Sequence, residues 1–160
     1  MENTIEFSRN LIKGRIAEII FEQMFRESGK FTILRSGYEY TFPELAQYRQ
    51  LPEVELYLER IRHNVDFILI SDDKKEVYLV EVKYRTNLKD EDIKKIALET
   101  REVQDPSWLF VASPSHGFFF EPCNTVLKNH GKIGRLYEKW VNKGIQEKYL
   151  KLMNEFKPKN

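Results

Sequence analysis

Two β-rich runs, "VDFILIS" (residues 65–71) and "EVYLVEVKY" (residues 76–84), flank the four polar residues "DDKK". That spacing reads as an antiparallel hairpin with a short polar turn. A turn centred between Asp73 and Lys74 pairs Ser71 with Glu76, Ile70 with Val77 and Ile68 with Leu79, and so puts Asp66 opposite Glu81. Directly opposed residues share a face, with Cβ atoms roughly 5 Å apart. Alternation along the strand adds Lys83 to that face. Two carboxylates held so close repel each other unless a cation lies between them.

A Glu81–Lys83 salt bridge would explain those two residues and leave Asp66 unexplained. The alternative is a metal site. Two hard-oxygen side chains with nearby backbone carbonyls suit Mg²⁺ or Mn²⁺. A lysine beside them can orient or help deprotonate a water and screen developing phosphate charge. Tyr78, Val80, Val82 and Tyr84 fall on the strand's other face, so the strand is expected to pack on both sides with its charges at the rim of a covered sheet.

Around the hairpin, a helix is predicted from near Ser8 to about Ser28, with Ile12, Ile16, Ile19, Ile20 and Met24 as its buried stripe. "FTILRSGYEY" alternates as a strand, and Pro43 and Pro52 each open a short helix in an insert over 41–64. The acids "DED" open a helix through about Val103. "WLFVAS" is a strand that Pro114 ends, and "SPSHGFFFEPCN" is a Gly/Pro-bounded apolar segment expected to hold a short edge strand. Residues 133–157 carry an amphipathic pattern that Gly144 is expected to break into two helices. One α/β domain spanning 1–160 is expected, with a mixed central sheet flanked by helices.

The 26 basic and 25 acidic side chains leave a net charge of +1, so nucleic-acid binding would need a local patch rather than bulk charge. Cys123 is the sole cysteine, which excludes a disulfide framework and a cysteine zinc site. No run has the length of a membrane span, so a cytoplasmic protein is expected.

"VDFILI" followed by "VEVKYR" resembles the paired motif of the PD-(D/E)XK nuclease superfamily, with Val65 in place of the proline. "KGRIAEIIFEQMF" followed by "ILRSG" is similar to the first helix and strand of archaeal Holliday-junction resolvases and related nucleases, and Glu18 matches the helix glutamate that joins their metal site. The resemblance covers roughly Ile12 to "WLFVAS". It implies the restriction-endonuclease-like fold, from which this chain departs by its helical insert over 41–64 after the first strand, where many relatives have a short loop. It also implies a Mg²⁺- or Mn²⁺-dependent nuclease that hydrolyses phosphodiester bonds in DNA, branched or structured DNA included. Asp66, Glu81, the Val82 carbonyl and Glu18 would hold metal, and Lys83 would position the attacking water. Many relatives act as dimers, which extends the expectation to a homodimer. The alternative is a nucleic-acid-binding or scaffold protein that keeps the fold and cuts nothing.

Arg15, Arg35, Ser36, Tyr84, Arg85 and Asn87 are candidate nucleic-acid contacts, Arg85 foremost for phosphate. The alternative for Arg35 is an exposed strand end, and for Glu18 a solvated helix edge. Glu22, one turn on, is a substitute carboxylate. Arg9, Lys13 and Arg15, with Lys89, Lys94 and Lys95, form either a phosphate track or solvated helix faces. His63 precedes Asp66 closely enough to approach a metal, although a loop-end histidine more often lies at the surface. His116 and Cys123 suggest no nucleophile pair.

Overall fold

The hairpin forms in the register that its polar turn requires. β2 (Phe67–Ser71) and β3 (Val77–Tyr84) run antiparallel, with Phe67 opposite Val80, Ile68 opposite Leu79 and Ile70 opposite Val77. At the turn, the Asp73 carboxylate accepts from Ser71 Oγ at 2.5 Å and from the Lys75 N–H at 3.0 Å. The computed structural model describes residues 4–36 and 65–157. The insert expected over 41–64, with His63, lies outside the described residues.

β1 (Phe31–Arg35) pairs antiparallel with the other edge of β2, Phe31 opposite Ser71 and Arg35 opposite Phe67. After β3, helix α2 (Asp90–Val103) carries the chain across so that β4 (Trp108–Ser113) lies parallel to β3, Val80 opposite Trp108 and Tyr84 opposite Ala112. β5 (Gly117–Pro122) returns antiparallel to β4. The five strands therefore stand in chain order in one mixed sheet. Three acids, Asp90, Glu91 and Asp92, occupy the first turn of α2, where the helix dipole favours negative charge.

Helices cover both faces. α1 (Thr4–Ser28) and α4 (Lys143–Glu155) pack on the face that carries Phe67, Leu69, Val80, Val82, Phe110, Ala112, Phe118 and Phe120. Phe21 sits at the centre, its ring 4.6 Å from Phe25 and 4.9 Å from both Phe67 and Phe110. α2 and the short α3 (Cys123–Lys128) cover the other face over Leu109, Val111 and Phe119. Cys123 is fully buried there, away from any nucleophilic role.

Two sequence expectations are corrected. The buried stripe of α1 is Ala17, Ile20, Phe21, Met24 and Phe25, while Ile12 and Ile19 are exposed. Those five positions follow the i, i+3, i+4 rhythm, whereas Ile12 and Ile19 fall off the line that meets the sheet. The C-terminal region is one helix rather than two, and Gly144 lies in its first turn. Asn142 starts α4 by accepting the Ile145 N–H at 2.9 Å. Residues 133–141 form no helix. Instead the Phe120 N–H donates to the Gly134 carbonyl at 3.0 Å and the Leu136 N–H to the Phe118 carbonyl at 2.9 Å, so this stretch covers the open edge of β5.

Gly131 makes the turn after α3 possible. Its φ is +95°, and a Cβ there would stand 2.0 Å from the Asp90 carbonyl oxygen. Gly131→Ala is expected to cost roughly 2–4 kcal/mol, through a left-handed backbone and a backbone clash together. Thermal unfolding of the variant beside wild type checks this. Among the described residues, no helix is long and apolar enough to cross a membrane.

Candidate active site

β2 and β3 part at Asp66. The last pair of their ladder is Phe67 with Val80, and both side chains face the core under α1. Beyond it a side chain takes over the bonding: the Val82 N–H donates to Asp66 Oδ2 at 2.8 Å. Ser36 fixes the same point from the other side. Its N–H donates to the Asp66 carbonyl at 2.9 Å and its hydroxyl to the Val65 carbonyl at 2.6 Å. Asp66 is thereby held where the sheet opens.

The opening is a half-open cavity of about 520 Å³ that Glu18, Asp66, Glu81 and Lys83 line together. Burial, then the charge of Glu81, pushes the Asp66 carboxyl up to about 8, against the pull of the Val82 N–H. Glu18 adds to that rise and Lys83 opposes it. The Glu81 carboxyl is also raised, chiefly by burial, with Lys83 opposing and Glu18 reinforcing. Three carboxylates therefore feel one another across one space. That repulsion is what a bound cation would relieve.

As they stand, two of them face cations of the chain itself. Glu81 Oε1 is 3.2 Å from Lys83 Nζ, and Glu18 Oε2 is 3.2 Å from the Arg15 guanidinium. Among the described residues, no three His, Cys, Asp or Glu side chains are grouped to hold a metal ion in these rotamers. The donor chemistry fits a hard cation, since Asp66, Glu81, Glu18 and a backbone carbonyl offer oxygen alone.

The sequence matches no family model and no curated protein. The reading of the site rests on its own residues.

The cavity also brings in Tyr84, Arg85 and Val82. Arg85 is tied to Asp92 at 2.7 Å and to the Tyr84 carbonyl at 2.8 Å, which sets its guanidinium at the rim. Arg15 does not line the cavity but pairs with Glu18, which does. Asn87 is exposed one residue beyond the lining residue Thr86.

Arg35 goes elsewhere. It binds Glu22, with Nε 2.7 Å from Oε2, while Arg26 holds the other oxygen of Glu22 at 2.8 Å. Glu22 is therefore not a substitute metal ligand: it is buried and engaged by two guanidinium groups, Arg26 within α1 and Arg35, which ties α1 to β1. Ser36 acts on the strand end that carries Asp66. Lys94 and Lys95 are exposed on α2 and do not line the cavity.

Sequence reasoning missed Asn10, Gly14 and Thr86, which line the cavity. A signal for two of them was present. Asn10, Gly14 and Glu18 recur every fourth residue, which places them on one face of α1.

Proposed function

We propose that this chain is a divalent-metal-dependent nuclease of the restriction-endonuclease-like type, hydrolysing phosphodiester bonds in DNA. The observation that carries the reading is the convergence of Asp66, Glu81, Glu18 and Lys83 on one cavity at the point where β2 and β3 part. The element order also supports it: a helix, an antiparallel three-strand meander, a crossover helix and a parallel strand. A homodimer that presents two such sites to two strands belongs to the same proposal.

Asp66, Glu81, Glu18 and the Val82 carbonyl would hold Mg²⁺ or Mn²⁺, with Glu81 and Glu18 exchanging Lys83 and Arg15 for the ion. The bound ion would supply Lewis-acid polarisation of a phosphoryl oxygen and offset its charge. The Val82 N–H keeps one oxygen of Asp66 fixed during this exchange. Lys83, released from Glu81, donates a hydrogen bond to the attacking water and faces the charge that develops on phosphate. The water oxygen forms its bond to phosphorus as the bond to the departing sugar oxygen breaks in line; the water gives up one proton to solvent and the leaving oxygen takes one up, so the protons balance. Arg85 stands at the rim to hold an adjacent phosphate.

A second reading is favoured by the two internal ion pairs, Glu81–Lys83 and Glu18–Arg15, which satisfy two of the three carboxylates without metal. On that reading the domain binds nucleic acid or a protein partner and cuts nothing. The test is a cleavage panel over single strands, duplexes, flaps and four-way junctions, in Mg²⁺, Mn²⁺ or EDTA. Cleavage of at least one substrate with metal and of none in EDTA is the expected result. Binding without cleavage in any metal would establish the second reading in its place.

A further inference from the structure

Three cations line the cavity, Lys13, Lys83 and Arg85, against the three carboxylates. Lys83 is spent on Glu81 and Arg85 on Asp92. Among the described residues Lys13 has no carboxylate partner. Its ammonium instead lies 5.9 Å from the centroid of the Tyr84 ring, a contact that holds a cation in place without neutralising it. The next residue is Gly14, in the interior of α1, where glycine is the least favoured residue short of proline. Among the described residues, a Cβ built on Gly14 meets no atom within 4 Å, and Gly14 lines the cavity, so the missing side chain leaves open space there. Among the described residues, no packing calls for a glycine at this position.

We propose that the substrate's sugar–phosphate backbone crosses α1 at Gly14, with one phosphate on Lys13, and that Tyr84 positions Lys13 for that contact. The inference rests on the nuclease reading and adds to it the place where the strand is seated. A polyanion approaching three carboxylates needs an uncommitted cation beside them, and Lys13 supplies it. Close approach of a strand to a helix needs a position without a side chain, and Gly14 supplies that. Gly14 and Glu18 are one turn apart on the same face, so a strand seated at Gly14 passes directly over the carboxylate cluster.

The test is binding of a fluorescein-labelled DNA, in EDTA so that nothing is cut, alongside thermal unfolding and metal-dependent cleavage. Gly14→Ala and Gly14→Gln are expected to unfold at or above the wild-type temperature, because both replace a helix-interior glycine. Gly14→Gln is expected to bind at least tenfold more weakly, with Gly14→Ala between it and wild type. Lys13→Ala is expected to weaken binding several-fold and to reduce the salt slope by about one. Tyr84→Leu should match Lys13→Ala, whereas Tyr84→Phe, which keeps the ring, should match wild type. Wild-type affinity in both Gly14 variants, or an unchanged salt slope in Lys13→Ala, would overturn the proposal while wild-type cleavage left the nuclease reading standing. A wild-type protein that neither binds nor cuts DNA would overturn both.

Discussion

Glu81→Ala is expected to abolish metal-dependent cleavage, with a loss in kcat of at least about 10²–10³, the scale on which single preorganised electrostatic groups act. Asp66→Ala and Lys83→Ala should lose activity to a similar degree, for different reasons. Glu81 and Asp66 are proposed to hold the ion, so their variants lose Mn²⁺ affinity along with rate. Lys83 is proposed to act on water and phosphate, so its variant should keep Mn²⁺ and lose rate alone. The fold should survive all three changes. Glu81 and Lys83 are half-buried at the sheet's opening rather than in either hydrophobic cluster. Circular dichroism and thermal unfolding provide that control, and equal activity in wild type and all three variants would remove the catalytic assignment.

The second large effect is on stability, and its sign follows from Asp66. Its carboxyl rises from an ordinary 3.8 to about 8 in the folded protein, first through burial and then through Glu81. Between those values the native state keeps a proton that the unfolded chain releases. Asp66 therefore leaves stability intact below about pH 4, and stability is lost progressively as pH rises to about 8. Each unit of separation corresponds to about 1.4 kcal/mol, so the loss by alkaline pH is on the order of several kcal/mol.

Asp66→Asn removes the titration and keeps an oxygen to accept the Val82 N–H. The metal-free variant is expected to melt on the order of 10 °C or more above wild type at pH 8.5 and within a degree or two of it at pH 4. Saturating Mn²⁺ should reverse the order at high pH, because an ion that binds only the folded wild type stabilises it alone. Identical melting of the two proteins across the whole pH range would contradict the burial and crowding of Asp66.

The hairpin register was legible because strict alternation and a four-residue polar turn allow one pairing that keeps Val80 and Val82 inward. From that register the meeting of Asp66 with Glu81 and Lys83 followed. The start of α2 was legible from three consecutive acids. The buried line of α1 was not, because isoleucines at 12 and 19 imitate a stripe whose true members are set by where the sheet touches the helix.

Residues 133–141 misled for a related reason. Leu136, Trp140 and Val141 are buried, yet they reach the core from a chain that lies along the edge of β5, and no local signal separates that path from a helix. The capture of Arg35 by Glu22 joins residues 13 apart in sequence, through packing of α1 on β1. Nothing in a strand-end arginine announces such a partner. Gly14 was passed over because a helix glycine reads as a mere weakness until the space beside it is seen.

Whether the three carboxylates make a cation site is most directly measured by Mn²⁺ titration calorimetry on the metal-free protein. Saturable binding to wild type is expected, lost in Asp66→Asn and in Glu81→Ala, and retained in Lys83→Ala. No binding to wild type, or equal binding after Asp66 and Glu81 are replaced, would contradict it.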